Sequence, residues 1–395
     1  MKSRILISFS LAALSLCLSS CKGDVYSEID SACRECFPED QPGAAVLILS
    51  GDKIIFDKGY GISDLGTKAA VSGETMFNVA SISKQFTSVA VLQLASDGKL
   101  SLEDSLSEYF PEYSDPLWNK VRIKHLLSHS SGIPDARGAM PKERKITADE
   151  AVALEYLDTL NYLHFDPGTE YEYINPTFVL LGRLVEMISG EPFTDYVKEH
   201  IFIPAGMEKT CYFSPDAKID EMAHGYEYSD VDNMPEERIA GDSKGVKDWY
   251  EYDYGEETFF ATRPDGGIYS STHEFVSWEK ALRESLEGKE GAILPSEYLK
   301  VAMTPHTKVS ASPWSDYQNR PDTWYGYGWF IEGNNLVDNY FSDANDVWIY
   351  HTGDNGGFKA LVARNPSKEI MIAIFACRAD WDRYALWKKI AALLQ

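Results

Sequence analysis

Apolar, strand-like runs sit at the two ends of this 395-residue chain and helix-like runs fill the middle. Near the start, residues 44–49 and 54–60 are separated by Gly51-Asp52, a pattern that predicts an antiparallel hairpin. Near the end, residues 347–350, 358–363 and 370–376 read as three more strands, and 382–394 as a closing helix. Strands at both termini with helices between them predict an α/β (α+β) fold. Its antiparallel sheet is built from both chain ends with helices flanking it, next to a mostly helical subdomain. The expected division is a sheet-bearing part over 21–78 and 262–395 and a mainly helical part over 79–261.

The helical part opens on Asn78-Val79-Ala80-Ser81-Ile82-Ser83-Lys84, which runs on without Gly or Pro until Asp97-Gly98-Lys99 supplies a stop. Ser81 and Lys84 are three apart, so on a helix they share a face. A serine hydroxyl is a poor nucleophile until a neighbour takes its proton, and an amine within reach can do so. Ser-x-x-Lys also occurs at Ser50–Lys53, Ser96–Lys99 and Ser277–Lys280. Those copies read as a hairpin turn, a helix end and a solvated helix face. Only the copy at Ser81 lies in an almost uncharged apolar helix, where a lysine is either paired or working.

Further along, Thr147 and Glu150 have capping-box spacing for a helix over 147–160, and 178–188 reads as a helix stopped at Gly190. His129 is a candidate catalytic base, but it stands among Ser128, Ser130 and Ser131 before Gly132, capping and turn groups that favour a structural histidine. Residues 216–257 are acidic and poor in aliphatics, and form either a lid or a packed-down loop. Trp324-Tyr325-Gly326-Tyr327-Gly328-Trp329-Phe330 fits a strand whose backbone something approaches closely. Its Trp324, Tyr325 and Trp329 are either a pocket floor or core.

The formal charge of −24 leaves no basic excess to neutralise phosphates, which argues against a nucleic-acid partner. Lys2 and Arg4 precede an apolar run over 5–18 and the small-residue exit Leu18-Ser19-Ser20, the pattern of a targeting segment. With Cys21 directly after it, this stretch resembles the lipobox of bacterial lipoproteins. The resemblance implies a signal peptide over 1–20 and a lipid at Cys21. It also implies an exported protein held at a membrane, on the outer membrane or the periplasmic face. Cys33-Arg34-Glu35-Cys36 has redox-motif spacing, but no strand precedes it and no second ligand pair for zinc follows. A local disulfide or idle thiols are expected instead.

Three short patterns occur in one order: Ser81-Ile82-Ser83-Lys84, Tyr173-Ile174-Asn175 and His351-Thr352-Gly353. Supporting segments are Gly59-Tyr60-Gly61, Leu126 to Gly132, Asp265-Gly266-Gly267 and Tyr327-Gly328-Trp329. Tyr317-Gln318-Asn319 repeats the second pattern by chance, so it is the ordered set that carries weight. From about Ile29 to the C-terminus the chain resembles the serine β-lactamase and penicillin-binding superfamily. The likeness is closest to its class C-like branch of carboxypeptidases, esterases and D-amino-acid peptidases.

That resemblance implies a Ser81 acyl-enzyme, with Lys84 and Tyr173 passing the serine proton to the leaving group. The backbone N–H groups of Ser81 and Asp354 would form the oxyanion hole. Asn175 would hold Lys84 or the acyl side chain, and His351-Thr352-Gly353 would lie on a strand edging the pocket, with Gly353 admitting substrate against the backbone. An ordinary lysine, with a pKa of about 10.4, is nearly all charged at neutral pH. Lys84 therefore needs desolvation or a cationic neighbour, and its apolar helix and His351 are the expected sources. Many members carry lysine where His351 stands. A histidine is mostly neutral at pH 7, which weakens recognition of a substrate carboxylate. The expectation is a serine acyl hydrolase acting on an ester, amide or peptide, with no metal or nucleotide cofactor. Its rivals are an acyltransferase, a D-Ala carboxypeptidase or β-lactamase, and a non-catalytic penicillin-binding or sensor protein.

Overall fold

The computed structural model describes residues 25–111, 118–135, 161–214, 218–228, 249–251, 262–309, 312–313, 322–333 and 347–394. The expected helix over 147–160, the leader with Cys21, and most of the acidic stretch 216–257 lie outside these residues. Of that stretch, the described parts pair Tyr226–Tyr228 antiparallel with Trp249–Glu251. Among the described residues no helix is long and apolar enough to cross a membrane.

Eight strands form one sheet: β1 (Ala44–Ser50), β2 (Lys53–Tyr60), β3 (Thr307–Lys308), β4 (Thr323–Tyr325), β5 (Phe330–Glu332), β6 (Trp348–Asn355), β7 (Phe358–Asn365) and β8 (Ile370–Ala376). Their order is β3-β4-β5-β6-β7-β8-β1-β2, antiparallel at every step. The two chain ends meet at the β8–β1 seam, where Ala44 faces Ala376 and Ser50 faces Ile370. Both strands at the seam are buried almost throughout, which is why they read as continuous apolar runs and not as alternating ones.

Alternation still decides which face each side chain serves. Ala45, Leu47 and Leu49 pack with Phe86, Val89, Phe275 and Trp278 on one face. Those four come from helices α2 (Lys84–Ser96) and α4 (Thr272–Leu286). Ala44, Val46 and Ile48 pack on the opposite face against Ile29, Cys33, Leu386 and Trp387. Those belong to the helix over 25–36, α1, and to α5 (Arg383–Leu393). Between α2 and α4 in sequence runs α3 (Asn175–Ser189), with Pro176 in its first turn and Gly190 at φ 78° after its last.

α2 is buried on nearly all sides, as an apolar helix without a polar face must be. It ends as its sequence predicts, with Gly98 at φ 70°. Cys33, Cys36, Cys211 and Cys377 are all free thiols, and burial pushes Cys33 up to about 12.

One expected element is different. Residues 324–330 are not a single strand but two, β4 and β5, joined by a turn at Gly326–Trp329 with Gly328 at φ 89°. The close approach that the glycines announce is real. A Cβ on Gly326 would lie 2.2 Å from the Ala302 carbonyl oxygen, and one on Gly328 would lie 2.6 Å from Ser88 Oγ. The Gly328 contact needs the chain to turn over α2, which a continuous strand does not do.

Candidate active site

Ser81 sits in a 3₁₀ turn, Ala80–Ser83, that leads directly into α2. Ala80 before it adopts the left-handed region at φ 47°, a conformation a non-glycine residue holds only at a cost of order 1 kcal/mol. What holds it there is local. The Ala80 N–H donates to Asn78 Oδ1 at 2.8 Å, and the Val79 N–H donates to the Ile268 carbonyl at 2.9 Å. The result lifts Ser81 out of the buried run, so that it is partly exposed while Ile82, Ser83 and Lys84 are not.

Lys84 is wholly buried, and its Nζ joins three segments. It donates to Ser81 Oγ at 3.1 Å, to Asn175 Oδ1 at 2.7 Å and to the Asp265 carbonyl at 2.8 Å. Asn175 is the first residue of α3, so the start of that helix is fixed on the lysine. Asp265 belongs to the short turn Arg263–Gly266, itself tied to α2 by Thr87 Oγ1 donating to the Pro264 carbonyl at 2.5 Å. Of these three acceptor atoms only Ser81 Oγ also has a proton to give.

Tyr173 covers this group from the side: Lys84 Nζ lies 4.9 Å from its ring centroid and 5.5 Å from that of Phe178. On its other side the Tyr173 ring lies 6.3 Å from the His351 ring and 6.4 Å from that of Phe330. The structure thus brings Ser81, Lys84, Tyr173, Asn175 and His351 into one neighbourhood.

His351, on β6, does not play the cationic part expected of it. It is fully buried; burial first, and then the nearby Lys84 charge, push it down to about 3. Its Nδ1–H donates to the Thr352 carbonyl at 2.7 Å, and Nε2 accepts from Tyr325 Oη at 2.9 Å. The ring is neutral, in one tautomer, with both nitrogens occupied. The buried Tyr325 is therefore the partner of His351 and not a pocket floor, and Trp329 is core.

At Gly353 a Cβ would lie 2.1 Å from the Val79 carbonyl oxygen and 3.1 Å from Ala80 Cβ, so the chain's own backbone already requires glycine there. The contact brings β6 against the turn that carries Ser81. Thr352 is buried beside it, while Asp354 is exposed and its carboxylate is held by Arg383 Nη2. Arg383 Nη1 also donates to the Gly353 carbonyl at 2.9 Å and to the Ala360 carbonyl at 3.0 Å, pinning this end of the strand.

Two supports of the site escape sequence reasoning. The Asp265 contact is a backbone carbonyl, which has no residue signature; only the neighbouring Gly266-Gly267 marks the segment. Arg383 lies at the start of α5, 29 residues from Asp354, with nothing local to link them. Among the described residues no cluster of His, Cys, Asp or Glu could hold a metal ion.

A family model described as beta-lactamase matches residues 34–395 of the chain. The chain is 26% identical over 350 residues to Protein flp of Staphylococcus aureus (strain MW2), covering 85% of this chain and 59% of that protein. It is 27% identical over 335 residues to Penicillin-binding protein 4* of Bacillus subtilis (strain 168), covering 82% of this chain and 65% of that one. The matched part thus spans less than two thirds of the length of either relative. In fold it is similar to the octameric penicillin-binding protein homologue from Pyrococcus abyssi. The TM-score is 0.72 at 24% identity, over 94% of this chain and 77% of that one.

Proposed function

We propose, from the premise that the chain belongs to the beta-lactamase family, that it is a serine acyl hydrolase working through a Ser81 acyl-enzyme on esters or amides. The observation that carries the reading is the direction of the bonds at Lys84. Asn175 Oδ1 and the Asp265 carbonyl can only accept, so they keep two protons of the amine whatever its charge. When Lys84 is neutral, its lone pair turns to the Ser81 hydroxyl, 3.1 Å away. Lys84 then takes the serine proton as Oγ attacks the acyl carbon. Tyr173, at the side of the same amine, carries that proton on to the leaving group, and water attack on the acyl-enzyme reverses the path.

The negative oxygen of the tetrahedral intermediate would be met by the N–H groups of Ser81 and Asp354. Each such donor typically lowers the barrier by about 3 kcal/mol. The contact of Gly353 with Val79 sets the spacing between the segments that carry them. A neutral His351 with both nitrogens engaged provides no cation for a substrate carboxylate. This favours substrates without a free carboxylate near the scissile bond over those of a D-Ala carboxypeptidase or β-lactamase.

The test is covalent labelling. Mass spectrometry after reaction with a fluorophosphonate or a short p-nitrophenyl ester should find the adduct on Ser81, and Ser81→Ala should abolish it. Lys84→Ala and Tyr173→Phe should each slow acylation by about 100-fold or more, the scale of lost general-base catalysis. Label retained by Ser81→Ala would refute the assignment. Turnover of nitrocefin faster than that of the ester would move the reading to the penicillin-directed rival.

A further inference from the structure

His129 is buried against the site, yet the mechanism above gives it no task. Its backbone is left-handed at φ 53°, and only 1% of its surface is exposed. It brackets Tyr173 from both sides in sequence. Its carbonyl accepts the Glu172 N–H at 2.9 Å, and its Nδ1 accepts the Ile174 N–H at 3.2 Å. Between those two bonds its ring lies 4.2 Å from the Tyr173 ring, with Tyr325 at 4.8 Å and Phe178 at 5.0 Å closing its other sides.

The same two segments are laced together twice more. The His164 N–H donates to the Gly132 carbonyl at 2.8 Å, and the Gly168 N–H to the Ser130 carbonyl at 2.7 Å. Those bonds use backbone alone and would hold the loop with any side chain at 129. The imidazole adds what they do not: a ring in contact with the phenol ring and an acceptor for the N–H that follows it.

Because Nδ1 accepts, the neutral ring carries its proton on Nε2, which is buried without a hydrogen-bond partner among the described residues. The groups facing it are Lys84, His351, Tyr171, Tyr173 and Tyr325, and burial first, then the nearby Lys84 charge, keep it neutral. Leaving a polar N–H unmatched is a cost that a phenylalanine or leucine would avoid. A residue kept only to fill space has no reason to bear it.

We propose that His129 is a positioning residue that fixes the Tyr173 phenol relative to Ser81 and Lys84, by bonding the backbone on both sides of Tyr173 and packing against its ring at a tilt of 39°. The inference rests on Tyr173 being the proton carrier. It is tested by a double-mutant cycle in the full chain, using His129→Ala, Tyr173→Phe and the pair, with the acylation burst of a p-nitrophenyl ester as readout and the folded fraction measured by near-UV circular dichroism. His129→Ala should slow acylation per folded molecule by about 10- to 100-fold, the scale of a small misplacement of a reacting group, with KM changed less than about threefold. In the Tyr173→Phe background it should cost nothing further.

His129→Asn keeps an amide acceptor and tolerates the left-handed backbone, so it should recover part of the rate; it also replaces the alanine variant in the cycle if that variant does not fold. Losses that multiply across the pair, or an unchanged rate per folded molecule, would overturn the positioning role while leaving Tyr173 in place. A Tyr173→Phe protein as fast as wild type would instead remove the premise, and the proposal with it.

Discussion

At the scale of single residues, a demanding position beside Ser81 is one with no side chain. Gly353 leaves 2.1 Å between a would-be Cβ and the Val79 carbonyl oxygen, and that neighbour is backbone with no rotamer to change. Gly353→Ala must therefore push β6 away from the Ser81 turn. Overpacking of this kind costs typically about 1–3 kcal/mol. A lower thermal midpoint together with an acylation burst slowed at least tenfold is the expected outcome. A variant that melts lower but acylates at the wild-type rate would show that the contact holds the fold and not the site. Lys84 teaches the complementary lesson: its partners Ser81 and Asn175 are legible as residue types at motif positions, whereas the Asp265 carbonyl is not. The imidazole of His351 was legible as mostly neutral at pH 7, but its being held neutral well below that pH was not. Burial decides the charge, and burial comes from β4, β5 and β6 packing together.

At the scale of elements, the hairpin of β1 and β2, the three C-terminal strands and helices α2 to α5 were readable because their apolar runs and stop signals are local. The turn inside 324–330 was not. Two glycines in an aromatic run signal close approach but do not say whether the chain passes its neighbour or doubles back on it. Ion pairs between elements are equally silent in sequence, and one of them depends on a histidine. His273 of α4 donates from Nδ1 to Glu74 Oε1 and from Nε2 to Asp57 Oδ2, each at 2.7 Å, joining α4 to β2 and to the loop after it. Partial burial opposes its charge, but the two carboxylates outweigh that and raise its pKa above the usual 6.5. A histidine raised on folding contributes its stability in full below the unfolded pKa, about 6.5, and loses it as pH climbs through the folded value. The difference in thermal midpoint between wild type and His273→Asn should thus be larger at pH 6 than at pH 9. An equal or inverted difference would mean that the bridge carries no net charge.

On the scale of the whole molecule, the sheet depends on strands that are far apart in the chain. β8 lies between β7 and β1, so the last of these eight strands to be made is an interior strand of the sheet. Ile372 and Ile374 of β8 are fully buried, and replacing such a residue by alanine costs typically about 2–5 kcal/mol. Removing all of β8 takes away the partner of both neighbours. A chain stopped before Ile370 should show no cooperative melt and no fluorophosphonate label; a labelled, cooperative truncation would show that the helical half folds and works alone. The seam has a further consequence for the chain's life before it is finished. Throughout synthesis, the edge of β1 that will receive β8 stands open as a strand template with its true partner not yet made, and edges of that kind recruit wrong partners. The newborn protein is thus most prone to clump during the interval in which a chaperone or a translocation channel could still hold it.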